Sequence, residues 1–120
     1  MPWNVEHTDE FAEWYQGLNE VQHDDITAAG LLLIEMGPQL PFPYSSGING
    51  SKHAHMRELR VQSGGKPLRA FYAFDPRRTA ILLVGGDKTG DDRFYKAMIP
   101  MADRLHDEYL IELRKEGLII

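Results

Sequence analysis

The sequence predicts an α+β domain with an N-terminal helical hairpin, an antiparallel β-meander and a C-terminal helix. Three observations carry that expectation. Apolar residues recur at three- and four-residue spacing through residues 9–36, with a capping signal at the head of each of two runs. From Met56 to Val84 the pattern turns extended, in three runs rich in apolar and aromatic residues and separated by tight-turn residues. Helical spacing then returns towards Lys115. The order helix, helix, strands, helix fits helices packed against one face of a sheet.

Trp3 to Val5 reads as a short edge strand. Thr8 offers an N-cap, with Asp9 and Glu10 in the first turn, where the helix dipole favours acids. Phe11, Trp14, Tyr15 and Leu18 make residues 9–16 a short amphipathic helix, stopped by Gly17. Asn19 restarts a second helix, and Gln22 three residues later completes a capping box. Val21, Ile26, Ala29, Leu32, Leu33 and Met36 are its apolar face, and Gly37-Pro38 ends it. Residues 37–54 are dense in Pro and Gly and read as a loop. Strands are expected at Met56–Gln62, Leu68–Phe74 and Thr79–Val84, joined by turns at Ser63–Pro67 and Asp75–Arg78. The third is apolar at every position from Ala80, which calls for burial on both faces and a place inside the sheet. Gly85 to Gly90 leads out of it. A turn at 92–98 and a helix with Pro100 at its first position follow, with Met101, Leu105, Tyr109 and Leu113 as its stripe.

A chain of 120 residues is expected to hold one domain, 1–120. With 42% hydrophobic and 26% charged residues it has the composition of a soluble globular protein. It has no Cys, which excludes disulfides, thiolate catalysis and Cys-bound zinc. Neither a signal peptide nor an 18-residue apolar run is visible, so no membrane partner and a cytoplasmic location are expected.

The charge is unevenly distributed. Residues 1–51 contain eight acids and no Lys or Arg, a net of −8. Residues 52–93 contain nine Lys/Arg against five Asp/Glu, a net of +4, and residues 94–120 contain four against five, a net of −1. The total of −5 therefore conceals a basic central block able to hold a polyanion. Solvated strand edges and turns would give the same count.

Gly85-Gly86-Asp87-Lys88-Thr89-Gly90 invites a phosphate-loop reading, but Asp87 stands where the last glycine must be, and the preceding strand belongs to a meander. Lys88 can still reach a phosphate from a strand end, or pair with Asp87 or Asp91. His53 and His55, flanked by Lys52 and Arg57, read as proton carriers, RNA contacts or exposed loop residues. No carboxylate cluster accompanies them, so neither a metal nor another cofactor is expected. Period two puts Glu58 and Arg60 on one face of their strand, with Arg57 and Leu59 on the other. Arg69 falls on the face of Phe71 and Ala73, and Tyr72 faces away unless a bulge intervenes. An Arg among such neighbours needs a counter-ion or a function.

The ordered run His55-Met56-Arg57-Glu58-Leu59-Arg60, then Arg69-Ala70-Phe71-Tyr72-Ala73-Phe74, then Ala80 through Lys88, resembles the RelE/ParE superfamily of bacterial toxins. Within it the chain is most similar to the HigB-like branch related to phage-derived toxins, over residues 9–112. The resemblance implies a RelE-like microbial RNase-type fold and a type II toxin acting as an mRNA interferase on message in the ribosome. It implies a helix-turn-helix antitoxin on a separate chain. It places the catalytic residues at Arg60, Arg69 and Lys88, with Tyr72 as the aromatic. Two features depart from the pattern: the acidic pI of about 5.5, and Gly-Gly-Asp-Lys-Thr-Gly where the family has a lysine-rich run.

The chemistry suits the composition. RNA brings its own nucleophile, the 2′-hydroxyl, and arginines and lysines can stabilise the phosphorane without a metal. Two other readings share the fold: a ParE-like toxin that poisons gyrase without catalysis, and an RNA- or DNA-binding module without toxicity.

Overall fold

The computed structural model describes residues 2–120. In chain order the elements are β1 (Asn4–His7), α1 (Asp9–Gln16), α2 (Glu20–Met36), β2 (Ser45–Gly47), β3 (Arg57–Ser63), β4 (Lys66–Asp75), β5 (Thr79–Asp87) and α3 (Phe94–Lys115), with a 3-10 turn at Gly37–Gln39. The strands form one five-stranded sheet in the order β1-β5-β4-β3-β2. The β3-β4-β5 core is the antiparallel meander expected. The sheet is nevertheless mixed, because β1 runs parallel to β5, and β2 adds an antiparallel edge from within the segment read as a loop. A three-residue strand among prolines carries too little period-two signal to be read.

The sheet is covered on both faces, not one. Phe11 of α1 and Ile26 and Leu33 of α2 pack with Leu59, Val61, Leu68, Ala70, Tyr72, Ala80 and Leu82. On the other face Phe94, Ala102 and Leu105 of α3 pack with Met56, Phe71, Ala73, Ile81, Leu83 and Val84. The uninterrupted apolarity of β5 requires this arrangement, since each alternate residue needs its own cover. A register shift opposite Phe71/Tyr72 leaves Leu83 as an extra residue on β5. Its carbonyl is taken by the Thr8 hydroxyl at 2.6 Å, while the same Thr8 oxygen caps α1 by accepting from the Phe11 amide.

Beyond the bulge β5 continues through Gly85 and Gly86 to Asp87, further than the sequence suggested. A Cβ on Gly85 would lie 2.3 Å from the Trp14 ring, and one on Gly86 would lie 2.8 Å from Phe94. These two glycines let α1 and α3 close on opposite faces of the same strand. The Ser63–Lys66 hairpin is tight because Gly64 and Gly65 both take positive φ (59° and 78°), the geometry of a type I′ turn. At the second hairpin Arg78 itself takes φ 62° and lays its guanidinium over the Trp3 ring.

α3 starts at Phe94, not Pro100, and Pro100 lies inside it. Proline inside a helix costs about 3 kcal/mol, but buried Phe94 and half-buried Tyr95, Met98 and Ile99 anchor the first turns on the sheet. Pro100 faces solvent, where the carbonyl it leaves unpaired meets water. With the helix extended backwards, its buried side is set by Phe94, Ala102, Leu105 and Leu113, and Met101 is left exposed. On α2, Ile26 and Leu33 are buried, whereas Val21 and Met36 stand in solvent. The capping box at Asn19 and Gln22 forms as read. No described helix is long and apolar enough to cross a membrane.

Candidate active site

Strand pairing brings together residues far apart in sequence. Arg60 lies opposite Arg69 across β3 and β4, and Arg69 lies opposite Gly86 on β5. Lys88, just past the end of β5, is held by its amide bonding to the Pro67 carbonyl. Arg60, Arg69 and Lys88 thus converge on the sheet face that also carries α3.

Glu58 is the hub of this cluster. It is buried, and period two puts it on the same face as Arg60. Its Oε1 accepts the Tyr95 hydroxyl at 2.7 Å and lies 3.4 Å from Arg69 Nε. Its Oε2 accepts the Ser46 hydroxyl at 2.8 Å and lies 3.8 Å from Arg60 Nη1. Arg69 is 5% exposed, so its charge needs this carboxylate. The contact is an ion pair without hydrogen-bond alignment, which leaves Arg69 Nε with no acceptor, while Nη1 donates to the Leu68 carbonyl at 3.0 Å. Arg60 is the more open of the two and lies 4.9 Å from the centre of the exposed Phe42 ring.

Tyr95 is the aromatic side chain that the structure brings into this cluster, and the sequence reading does not single it out. Its ring carries Lys88 Nζ at 5.4 Å. Burial pushes its hydroxyl pKa up, and the hydrogen bond to Glu58 adds to this, so the group stays protonated near neutral pH. The signal that could have found it is its place one residue into α3. A helix starting at Phe94 aims Tyr95 back at the sheet, but Pro100 hid that start.

Tyr72 is not part of this cluster. The bulge lies on β5, so Tyr72 keeps the face opposite Arg69. It is fully buried under α2, with its hydroxyl 2.6 Å from Ser45 Oγ. It has no free ring face on which a base could stack.

Lys52, His53 and His55 also stand apart from Glu58. Lys52 pairs with Asp107, and His53 Nε2 contacts the same carboxylate at 2.8 Å. The Lys52 hydrogen bond, with help from His53, holds the Asp107 pKa down. Asp103 accepts the Ser51 hydroxyl and the Lys52 amide. These contacts pin the 51–53 segment to α3 at Asp103 and Asp107, about 12–18 Å along the helix from Tyr95. The His53 ring meets His106 edge-on at 4.5 Å. His106 is buried, its Nδ1 has no partner, and burial followed by the charge of His53 lowers its pKa to about 4. His55 is exposed and Arg57 is half-buried. Both line a different cleft.

Asp87, next to Lys88, is held below the ordinary carboxylate range, first by the Thr89 hydroxyl and then by the Thr89 amide. Its charge is thereby folded back into its own turn rather than onto Lys88. Among the described residues no group of three or more His, Cys, Asp or Glu is placed to hold a metal ion.

Comparison with known proteins agrees with this architecture. The model of the family "Phage derived protein Gp49-like" matches residues 13–107. The chain is 41% identical over 98 residues to the putative toxin HigB3 of Mycobacterium tuberculosis, covering 81% of this chain and 84% of that protein. It is 38% identical over 101 residues to the putative toxin HigB2 of the same organism, covering 82% of this chain. It spans about half the length of HigB2 (50%). Among solved structures, a mutant of the E. coli toxin RelE in the free state superposes with a TM-score of 0.59 at 10% identity, over 82% of this chain and 96% of that one. The archaeal RelE–RelB complex from Pyrococcus horikoshii gives 0.56 at 13% identity, over 75% and 99%. At such identities the likeness is one of fold. The family match and the two mycobacterial relatives establish that the chain belongs to the Gp49-like family, together with the HigB-like proteins.

Proposed function

We propose that this protein is the toxin of a type II toxin–antitoxin pair and a metal-independent endoribonuclease that cleaves mRNA, on the ribosome, through the RNA's own 2′-hydroxyl. The observation that carries the proposal is the convergence of Arg60, Arg69, Lys88 and Tyr95 around Glu58 on one sheet face. Arg60 and Lys88 supply mobile cations for the phosphate as negative charge builds on its equatorial oxygens. Arg69 is buried and fixed, a permanent positive field beneath them. Tyr95 and Glu58 form a proton-carrying pair. The tyrosine oxygen takes the proton of the 2′-hydroxyl while its own proton passes to the carboxylate, and the reverse transfer serves the leaving 5′-oxygen. The products are a 2′,3′-cyclic phosphate and a 5′-hydroxyl.

The partner fits the other side of the molecule. HigB and RelE are toxin names, and the P. horikoshii relative was solved with RelB. The outer face of α2 shows Val21 and Leu31, 60% and 61% exposed, among the acids Glu20, Asp24 and Glu35. A basic helix-turn-helix antitoxin would find there both apolar anchors and complementary charge, while the Arg60–Lys88 face stays partly open.

The test is expression of the chain alone and with each neighbouring reading frame, with the ends of cleaved message mapped. Growth arrest relieved by one neighbour, with 5′-hydroxyl ends formed in excess chelator, is expected. Intact message during arrest would favour the non-catalytic gyrase-type toxin. Ends with 5′-phosphates would point to metal-activated water.

A further inference from the structure

A cleft of about 620 Å³ lies at the open end of β2 and β3. Its walls include Asn49, His55, Met56, Arg57 and Phe74. Three features make it more than a surface hollow.

The first is an uncompensated cation. Arg57 is half-buried and, among the described residues, makes no ion pair. A partly desolvated guanidinium with no carboxylate beside it is costly unless an outside anion or acceptor completes it. The second is a buried relay that aims it. Tyr72, fully buried, bonds Ser45 Oγ at 2.6 Å, and Ser45 Oγ accepts from Arg57 Nε at 3.0 Å. With Nε held, Nη1 lies near Gly47 on the cleft wall. The third is continuity with the active site. Gly47, Ile48 and Asn49 wall this cleft on one side and, on the other, a pocket lined by Glu58, Tyr95 and Ile99. The whole segment 36–57 that builds this wall contains no Asp or Glu, in a chain of net charge −5. Lys52 and His53 are engaged with Asp107, so Arg57 provides the free positive charge of the cleft.

We propose that this cleft is a second RNA subsite, seating a nucleotide that flanks the cleaved phosphate on the same strand. Arg57 binds its phosphate, Asn49 and His55 read its base, and Tyr72 is a positioning residue acting through Ser45. A strand lying across the Gly47–Asn49 edge reaches both pockets at once. The inference rests on RNA being the substrate of the Glu58–Tyr95 site, and it makes the cleft a determinant of cleavage sequence.

The probe is a fluorescent RNA-like oligonucleotide with 2′-deoxy sugars throughout, which can bind but cannot be cut. Arg57→Ala should weaken its binding about tenfold, the loss of one charge-assisted contact. Tyr72→Phe should weaken it less, and the double variant should bind no worse than Arg57→Ala alone, because the relay acts only through Arg57. Melting curves check that each variant is folded. On cleavable RNA, Asn49→Ala and His55→Ala should shift base preference at one position beside the cut. Unchanged oligonucleotide binding by folded Arg57→Ala overturns the proposal. So does a loss confined to binding of the neighbouring gene product, which would make the cleft a protein seat. If the wild-type protein cuts no RNA yet Arg57→Ala loses oligonucleotide binding, the nuclease reading fails and the subsite stands.

Discussion

Removal of Glu58 tests whether the site is an electrostatic unit. Its carboxylate is 4% exposed and faces an equally buried guanidinium, Arg69, at 3.4 Å. Glu58→Ala strips Arg69 of its counter-ion and leaves the Tyr95 and Ser46 hydroxyls without their acceptor. Breaking a buried pair from one side costs about 3–5 kcal/mol. The freed hydroxyls can turn towards water, so the total should stay in that range. Arg69→Met is milder, because Glu58 keeps two hydrogen-bond donors, and about 2 kcal/mol is expected. If the two charges depend on each other, Glu58→Ala/Arg69→Met should be more stable than the sum of the single changes by at least about 2 kcal/mol. Urea unfolding followed by tryptophan fluorescence measures all four proteins, provided the m-value stays constant. Additivity within about 0.5 kcal/mol would refute the coupling and leave Glu58 a hydrogen-bond acceptor only.

Arg60→Ala and Lys88→Ala should each lower RNA cleavage by roughly 10²–10³-fold, the usual cost of one transition-state donor, with little loss of stability since both side chains reach solvent. Tyr95→Phe should lower the maximal rate and distort its pH profile while leaving binding of the uncleavable oligonucleotide intact. Unaltered rates in all three would move the active site elsewhere. Buried His106, with its pKa lowered to about 4, binds a proton more readily unfolded than folded. Stability should therefore be complete above about pH 6.5 and fall by about 3 kcal/mol as pH drops towards 4. His106→Leu should flatten that slope in pH-dependent unfolding, and an unchanged slope would assign it to other groups. Charge reversal at Glu13, Glu20 and Asp24 should slow association with the proposed antitoxin and remove most of its salt dependence. Unchanged kinetics would place the contact off the helical hairpin.

The meander and both N-terminal helix caps were legible in the sequence, because each rests on a strong local rule. Thr8 and Asn19 have side chains that can only usefully cap. Gly64-Gly65 permits one kind of hairpin, and that hairpin fixes which residues of β3 and β4 face each other. The parts that escaped depend on tertiary contact. β2 is three residues long and exists because β3 offers an edge. The start of α3 was misplaced because a proline penalty of about 3 kcal/mol is smaller than what the burial of Phe94 and its neighbours returns. A helix expected to start at Pro100 leaves Tyr95 in a turn, out of sight of the cluster, whereas Tyr72 comes from the resemblance alone. Period two places Tyr72 on the face opposite Arg69, and the structure keeps it there. The bulge that could have rescued it occurs on β5, where it shifts Gly85 and Lys88 instead.

Net charge, the feature least typical of a nucleic-acid-cutting protein, loses its force once the layers are known. The exposed acids Asp9, Glu10, Glu13, Glu20, Asp24 and Glu35 belong to α1 and α2, whereas Arg60 and Lys88, with Arg69 buried beneath them, lie beside α3 on the opposite face of the sheet. Packed layers stand on the order of 10 Å apart, and side chains on the outer face of a helix add roughly 5 Å more. Charges on the two sides are therefore separated by about twice the Debye length of about 8 Å at physiological salt. An RNA phosphate at the Arg60–Lys88 face would feel the local cations and little of the distant acids. Of the acids beside the site, Glu58 is held by Arg69, Arg60, Tyr95 and Ser46, and Asp87 by Thr89. An overall charge of −5 is thus compatible with a polyanion site, and the acidic face becomes available for a basic partner that need not compete with RNA.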